Sequence, residues 1–279
     1  MLKGVCKMQQ IYYFSGSGNS LYIARELHKM FPNSNLIPIL SVINLDKIEV
    51  KGDSVGFVFP IHAFTLPIPV KIFLEKAIFI STSYIFAVAT RGGSPCNVFE
   101  HMDSLLNKKG KKLDSHFFID MPNNFTHVAE TPTEEDIKKL NVLALKKLET
   151  IKSIVDSKRK YGEDKLNKSF FRKQILFPAL SLILKRTKYL NTDKKFYANS
   201  GCTGCGICAK VCLSSRIESN SGKPYWKNDS SCIFCFACLN YCPQQAIQIR
   251  GSKSKDKGRY HHLEVTANEI SKQKSPSEI

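Results

Sequence analysis

The chain has 279 residues, 43% of them hydrophobic and 23% charged, with a formal net charge of +17. That is ordinary globular arithmetic, enough for one sizeable domain and a small one, and it excludes a wholly disordered, collagenous or coiled-coil chain. No apolar run approaches the ~20 residues that span a bilayer. The start, MLKGVCKMQQIYYF, carries neither an apolar signal region nor a small-residue cleavage site. No transmembrane segment and a cytoplasmic location are the expectations. The charge is unevenly placed: residues 1–137 carry 13 basic and 13 acidic side chains, whereas residues 138–195 carry 17 basic and 5 acidic. The basicity belongs to a connector. It lacks the aromatic interleaving and the recognisable module of a nucleic-acid reader, so nucleic acid is not the expected partner. The simplest reading is a solvated, Lys-rich pair of helices; the next is a docking face for an acidic redox protein, because charge complementarity raises encounter rates, with an anionic membrane surface third.

In chain order, β-rich runs at 10–14, 35–39, 54–59, 84–89 and 112–120 alternate with helical patterns at 20–30, 67–77 and 97–108. Five strands separated by helices predict a doubly wound α/β domain with a parallel sheet, over 8–160. The first strand runs into Ser15-Gly16-Ser17-Gly18-Asn19-Ser20 and then the helical LYIARELHKMF. A strand, a hydroxyl-rich turn and a helix N-terminus make an anion site, since backbone N–H groups and the helix dipole face the anion. With no Lys before the last Ser it is not a triphosphate loop, and Leu21 stands where the dinucleotide fingerprint has its third Gly. The loop resembles the phosphate loop of flavodoxins, which holds the FMN phosphate without a basic side chain. In that arrangement the flavin ring lies at the carboxyl ends of the next strands. Candidates there are Pro60, His62 and Phe64 in one loop and Thr90, Arg91, Gly92 and Gly93 in the other.

Thr133 opens a helix with Asp136 three residues on, a capping box, and Ile137, Leu140, Ala144, Leu148, Ile151 and Val155 recur at helical spacing. Residues 161–195 read as a basic helical connector containing FFRKQILFPALSLILKR, a stretch expected to pack on the body or on the cysteine domain.

Ten cysteines in a short secreted chain would suggest disulfides; here Cys6 and Cys96 lie far apart and eight crowd into 202–242, which points to metal. CTGCGICAKVCLSSRI at 202 repeats as CIFCFACLNYCPQQAI at 232, offset by 30 residues. Both carry the C-x₂-C-x₂-C-x₃-C spacing of bacterial two-cluster ferredoxins. A loop with three thiolates at that interval wraps three corners of an iron–sulfur cube, and the fourth cysteine opens a helix that leads to the other cube. The expected ligand sets are Cys202, Cys205, Cys208 and Cys242 for one [4Fe–4S] cluster, and Cys232, Cys235, Cys238 and Cys212 for the second. Leu213 stands where the pattern has Pro, which removes no ligand. The small α+β two-cluster domain spans 196–250, and the polar tail at 251–279 is expected to end poorly ordered.

Taken together, YYFSGSGNSLYIA, FVFPIHAFTLPIP, ATRGG, MPNNF, DKKF, both cysteine motifs and the late GRYHH resemble a family of bacterial flavodoxin–ferredoxin fusion proteins. The resemblance implies a five-stranded flavodoxin-like body holding FMN, a ferredoxin-like domain holding two [4Fe–4S] clusters, and intracellular electron transfer with a redox partner protein. The alternative it leaves open is a flavin-dependent reductase of a quinone or other small organic acceptor, fed by the clusters.

Overall fold

The computed structural model describes residues 9–63, 65–93, 97–126, 129–163, 194–254 and 256–276. Phe64, Cys6, Cys96 and most of the expected connector (164–193) lie outside the described residues. The body runs β1 (Gln9–Tyr13), α1 (Asn19–Met30), β2 (Ser34–Pro38), α2 (Ile39–Val42), β3 (Ile48–Lys51), β4 (Ser54–Pro60), α3 (Ile68–Lys76), β5 (Ala77–Ile80), β6 (Tyr84–Arg91), α4 (Val98–Asn107), β7 (Ser115–Asp120), α5 (Glu134–Asp156) and β8 (Tyr161–Gly162).

The main sheet has six strands in the order β2-β1-β4-β6-β7-β8, all parallel. Its first five give the doubly wound order 2-1-3-4-5, with the reversal between β1 and β4. The expected count of five is corrected to six. Tyr161–Gly162 makes the added edge pair with Ser115 and His116, and a two-residue strand is too short to show a period in the sequence. A separate parallel pair, β3 with β5, was not expected either. Strands covered on both faces read as continuous apolar runs, and β4 is buried from Ser54 to Phe59. Tyr12 stacks 5.7 Å from Phe57 and 4.6 Å from Phe73, and its hydroxyl donates to Gln10 Oε1 at 2.8 Å. The expected capping box opens α5: Asp136 N–H donates to Thr133 Oγ1 at 3.1 Å, and Ile137, Ala144, Leu148, Ile151 and Val155 are buried.

The cysteine domain consists of β9 (Phe196–Ala198), α6 (Ile207–Lys210), β10 (Ile217–Asn220), β11 (Lys223–Trp226), α7 (Ala237–Asn240) and β12 (Ile247–Ile249). β12 pairs antiparallel with β9, and β10 with β11. Its apolar residues Val211, Leu213, Ala237 and Tyr241 join the same core as the body.

The polar tail does not end poorly ordered over residues 256–276. Tyr260, His262, Val265, Ile270 and Gln273 are buried, and α8 (Ala267–Lys272) opens with a second capping box, Thr266 with Glu269. Among the described residues no helix is long and apolar enough to cross a membrane.

Gly56 shows how tightly β4 meets its neighbour, since a Cβ there would lie 2.3 Å from the Phe86 ring. Gly56→Ala is expected to lower stability by about 1–3 kcal/mol through overpacking, read from the denaturant midpoint at unchanged slope.

Candidate functional site

The carboxyl ends of β1, β4, β6 and β7 converge, as the strand reversal requires. Ser15 through Ser20 follow β1, and all six residues are buried. Gly18 is the N-cap of α1 with φ +100°, and no side chain caps the helix. The first N–H groups of a helix have no acceptor within it, and a buried helix start normally finds one. Ser20 Oγ lies 2.7 Å from Thr90 Oγ1 on β6, Asn19 Nδ2 donates to Pro122 O at 3.0 Å, and the Asn124 amide donates to Ser17 Oγ. Gly92 backs onto Asn123, whose Cα would be 2.9 Å from a Cβ at Gly92. One loop from each of β1, β6 and β7 is thus locked into one rim.

The remaining ring-side candidates differ among themselves. Pro60 ends β4 and Thr90 is buried at the rim. Arg91 is turned to β7, where its Nε donates to Asp120 Oδ1 at 2.6 Å and its guanidinium lies 4.8 Å from the Phe118 ring. His62 packs edge-on to Phe14 at 5.7 Å, and burial pushes its pKa down to about 4, so it is neutral at pH 7. His62 Nδ1 and Asn97 Oδ1 are buried polar atoms without a partner, on the loops after β4 and β6. Gly93 is open, with nothing within 4 Å of a Cβ there.

What covers the glycine–serine loop comes from distant parts of the chain and leaves no local pattern. Cys235 of the second cysteine motif presses its carbonyl against Gly16, where a Cβ would meet that oxygen at 2.3 Å. The tail closes the rest. Gln273 accepts from Ser15 N–H at 3.0 Å and donates to Ser15 O at 2.9 Å; His262 N–H donates to Ser17 O at 2.8 Å; Tyr260 Oη donates to Asn19 Oδ1 at 2.9 Å. His262 stacks on Tyr22 at 4.0 Å, and burial, then Arg25 and His261, push its pKa down to about 4. Arg25 on α1 reaches back to the Glu269 carboxylate and donates to Glu264 O at 2.7 Å. GRYHH was the one sequence signal for this segment, and its polar composition gave no hint of burial.

None of the eight cysteines 202, 205, 208, 212, 232, 235, 238 and 242 is in a disulfide. One cavity is lined by Cys202, Cys205, Cys208 and Cys242, with the tip of the β10–β11 hairpin at Gly222 beside it. Burial raises the Cys208 pKa to about 11, helped by Cys242, Cys205 and Cys202. Burial likewise raises Cys235 to about 12, with Cys232 and Cys212 adding to it, and puts Cys238 well above the usual thiol value. Thiols so crowded resist ionisation until a cationic group compensates them, the condition an iron–sulfur cube satisfies. The two sets of three closely spaced cysteines with a remote fourth differ from the two spaced pairs usual in a structural zinc site. Backbone N–H groups point at the sulfurs: Arg216 to Cys212 Sγ at 3.3 Å, Phe234 to Cys232 Sγ at 3.4 Å and Ala246 to Cys242 Sγ at 3.2 Å.

Residues 201–247 match the family model of the 4Fe-4S dicluster domain. No curated protein matches the chain. Among solved structures, a flavodoxin from the domain Archaea is similar at 13% identity and TM-score 0.31, over 52% of this chain and 99% of that one. The two-electron reduced Megasphaera elsdenii flavodoxin is similar at 17% identity and TM-score 0.29, over 50% and 99%. The Trp repressor binding protein of Bacillus subtilis is similar at 13% and 0.33, over 50% and 94%. The doubly wound fold itself is carried by the strand order.

Gly16→Ala forces body and cysteine motif apart, because the obstacle is a carbonyl oxygen and not a side chain that can swing away. Calorimetry under anoxic conditions is expected to show one transition for the native chain and two for the variant; a single unshifted transition would mean that the contact carries no load.

Proposed function

We propose that this chain is an electron-transfer protein holding one FMN in the body and one [4Fe–4S] cluster on each of the two cysteine sets. The observation that carries the reading is the direct contact of Gly16, in the expected phosphate loop, with Cys235 of the dicluster domain. When bound, FMN exchanges one or two electrons and each cluster exchanges one.

This chain's residues supply binding, orientation and insulation. The buried, uncapped start of α1 offers N–H donors to a phosphate, and the Ser17 and Ser20 hydroxyls stand at the same rim. Glycine at 16 and 18 lets the backbone come close to its neighbours, which side chains would prevent. The unpartnered His62 Nδ1 and Asn97 Oδ1 suit the heteroatoms of a flavin ring. Neutral His62 can exchange hydrogen bonds there without adding a positive charge. Cys202, Cys205, Cys208 and Cys242 would hold one cluster, and Cys212, Cys232, Cys235 and Cys238 the other. The fusion replaces a bimolecular encounter between carriers by a fixed juxtaposition. The external partner is a redox protein with an acidic face, matched to the +17 charge, so its association slows as salt rises.

Protein purified and reconstituted without oxygen is expected to contain about eight irons, eight sulfides and one FMN per chain. Ser17→Ala is expected to weaken FMN binding by roughly 10- to 100-fold, the loss of one hydrogen bond to a charged group, with iron unchanged. Eight irons with no flavin, even after FMN is added, would overturn the flavin part of the reading.

A further inference from the structure

The two cysteine motifs share one backbone trace but not one surface. Left-handed residues recur at the 30-residue offset: Gly204 (φ +75°) with Phe234 (+54°), Gly206 (+74°) with Phe236 (+55°), and Ser215 (+50°) with Gln245 (+48°). Glycine adopts this region freely, whereas a bulky side chain there is an outlier held in place by its surroundings. The second motif therefore carries phenylalanine twice where glycine would be unstrained, and the rings have evident work. Phe234 is 5% exposed. Phe236 meets Phe125 of the body edge-on at 5.4 Å and Phe196 of β9 at 6.2 Å.

Among the described residues the first motif has no aromatic roof; only the tip of the β10–β11 hairpin covers it, at Gly204, where a Cβ would lie 2.4 Å from Gly222 O. Gly201, Thr203 and Cys205 are exposed, and nothing lies within 4 Å of a Cβ at Gly206. Cys205 and Cys235 hold equivalent places in the repeat, yet Cys205 is exposed and Cys235 is buried in the core shared with the body.

We propose that the two clusters are inequivalent by construction. The one on Cys202, Cys205, Cys208 and Cys242 exchanges electrons with an external one-electron carrier protein at the Cys205 face. The one on Cys212, Cys232, Cys235 and Cys238 is an inner centre, shielded on its Cys235 side by Phe234 and Phe236, that communicates only with the first cluster and the body. The inference rests on the two-cluster reading above. Each transfer moves one electron: the carrier is oxidised by one and the outer cluster reduced by one, then the outer is reoxidised as the inner is reduced, with no bond made and no proton moved. The reverse order balances in the same way. Phe234 and Phe236 are positioning residues, acting through water exclusion, and exclusion of water is one of the levers on cluster potential and lability.

The test follows iron release from the anaerobically loaded full chain to the ferrous chelator bathophenanthroline disulfonate. Two phases of about four irons each are expected, the fast one at least tenfold faster than the slow. Cys205→Ser is expected to remove the fast phase and leave the slow one. Phe236→Gly keeps a residue at ease with the left-handed backbone while removing the ring, and in protein whose circular dichroism and iron content match the native chain it is expected to speed the slow phase by about tenfold. Release of all eight irons in one phase, loss of the slow phase in Cys205→Ser, or an unchanged slow phase in Phe236→Gly would overturn the inference. A chain that never binds about eight irons would instead overturn the two-cluster reading on which it stands.

Discussion

The approach of the Cys235 carbonyl to Gly16 is the contact around which the rest of the molecule is arranged. A single methyl group at Gly16 would sit 2.3 Å from that oxygen, so the glycine–serine loop and the second cysteine motif can pack only with glycine between them. Once they pack, the polar groups of the loop are cut off from water and must be satisfied from elsewhere. The tail does this: Gln273, His262 and Tyr260 bond Ser15, Ser17 and Asn19 across more than two hundred residues of chain. Body, cysteine domain and tail are therefore one packing unit, whose common core runs from β1 to Val265 and Ile270.

That enclosure also sets the electrostatics. His262 is neutral because burial disfavours its charged form, and the cysteine thiols resist ionisation for the same reason. In the proposed reading the groups that enter this enclosure are a phosphate held by the N–H groups of α1 and iron held by the thiols, which lose their protons as the metal binds. The two halves of the cysteine repeat differ most at Cys205 and Cys235, the first exposed beside glycines and the second buried beside phenylalanines that pack toward the body.

How much of this was legible in the sequence depended on the range of the interactions. The five main strands, the loop after β1, the capping box at Thr133 and the cysteine spacing are local signals, each readable within a dozen residues. The pair Tyr161–Gly162 and the β3–β5 ladder are too short to show a period. The tail was misread for a different reason. Tyr260, His262 and Gln273 look like a solvated polar end, and they are buried only because their hydrogen-bonding partners lie some 240 to 260 positions earlier in the chain, at Ser15, Ser17 and Asn19. The pairing of Arg91 with Asp120 depends on the parallel register of β6 and β7, which no local pattern around Arg91 shows.

The central claim is that flavin and clusters are held in fixed juxtaposition within one chain. Flash photoreduction of the flavin in the fully loaded protein, followed by bleaching of the cluster absorbance, tests it most directly. The account predicts cluster reduction at a rate that does not change over a tenfold range of protein concentration. A rate proportional to concentration, or a reduced flavin that leaves the clusters oxidised, would contradict it.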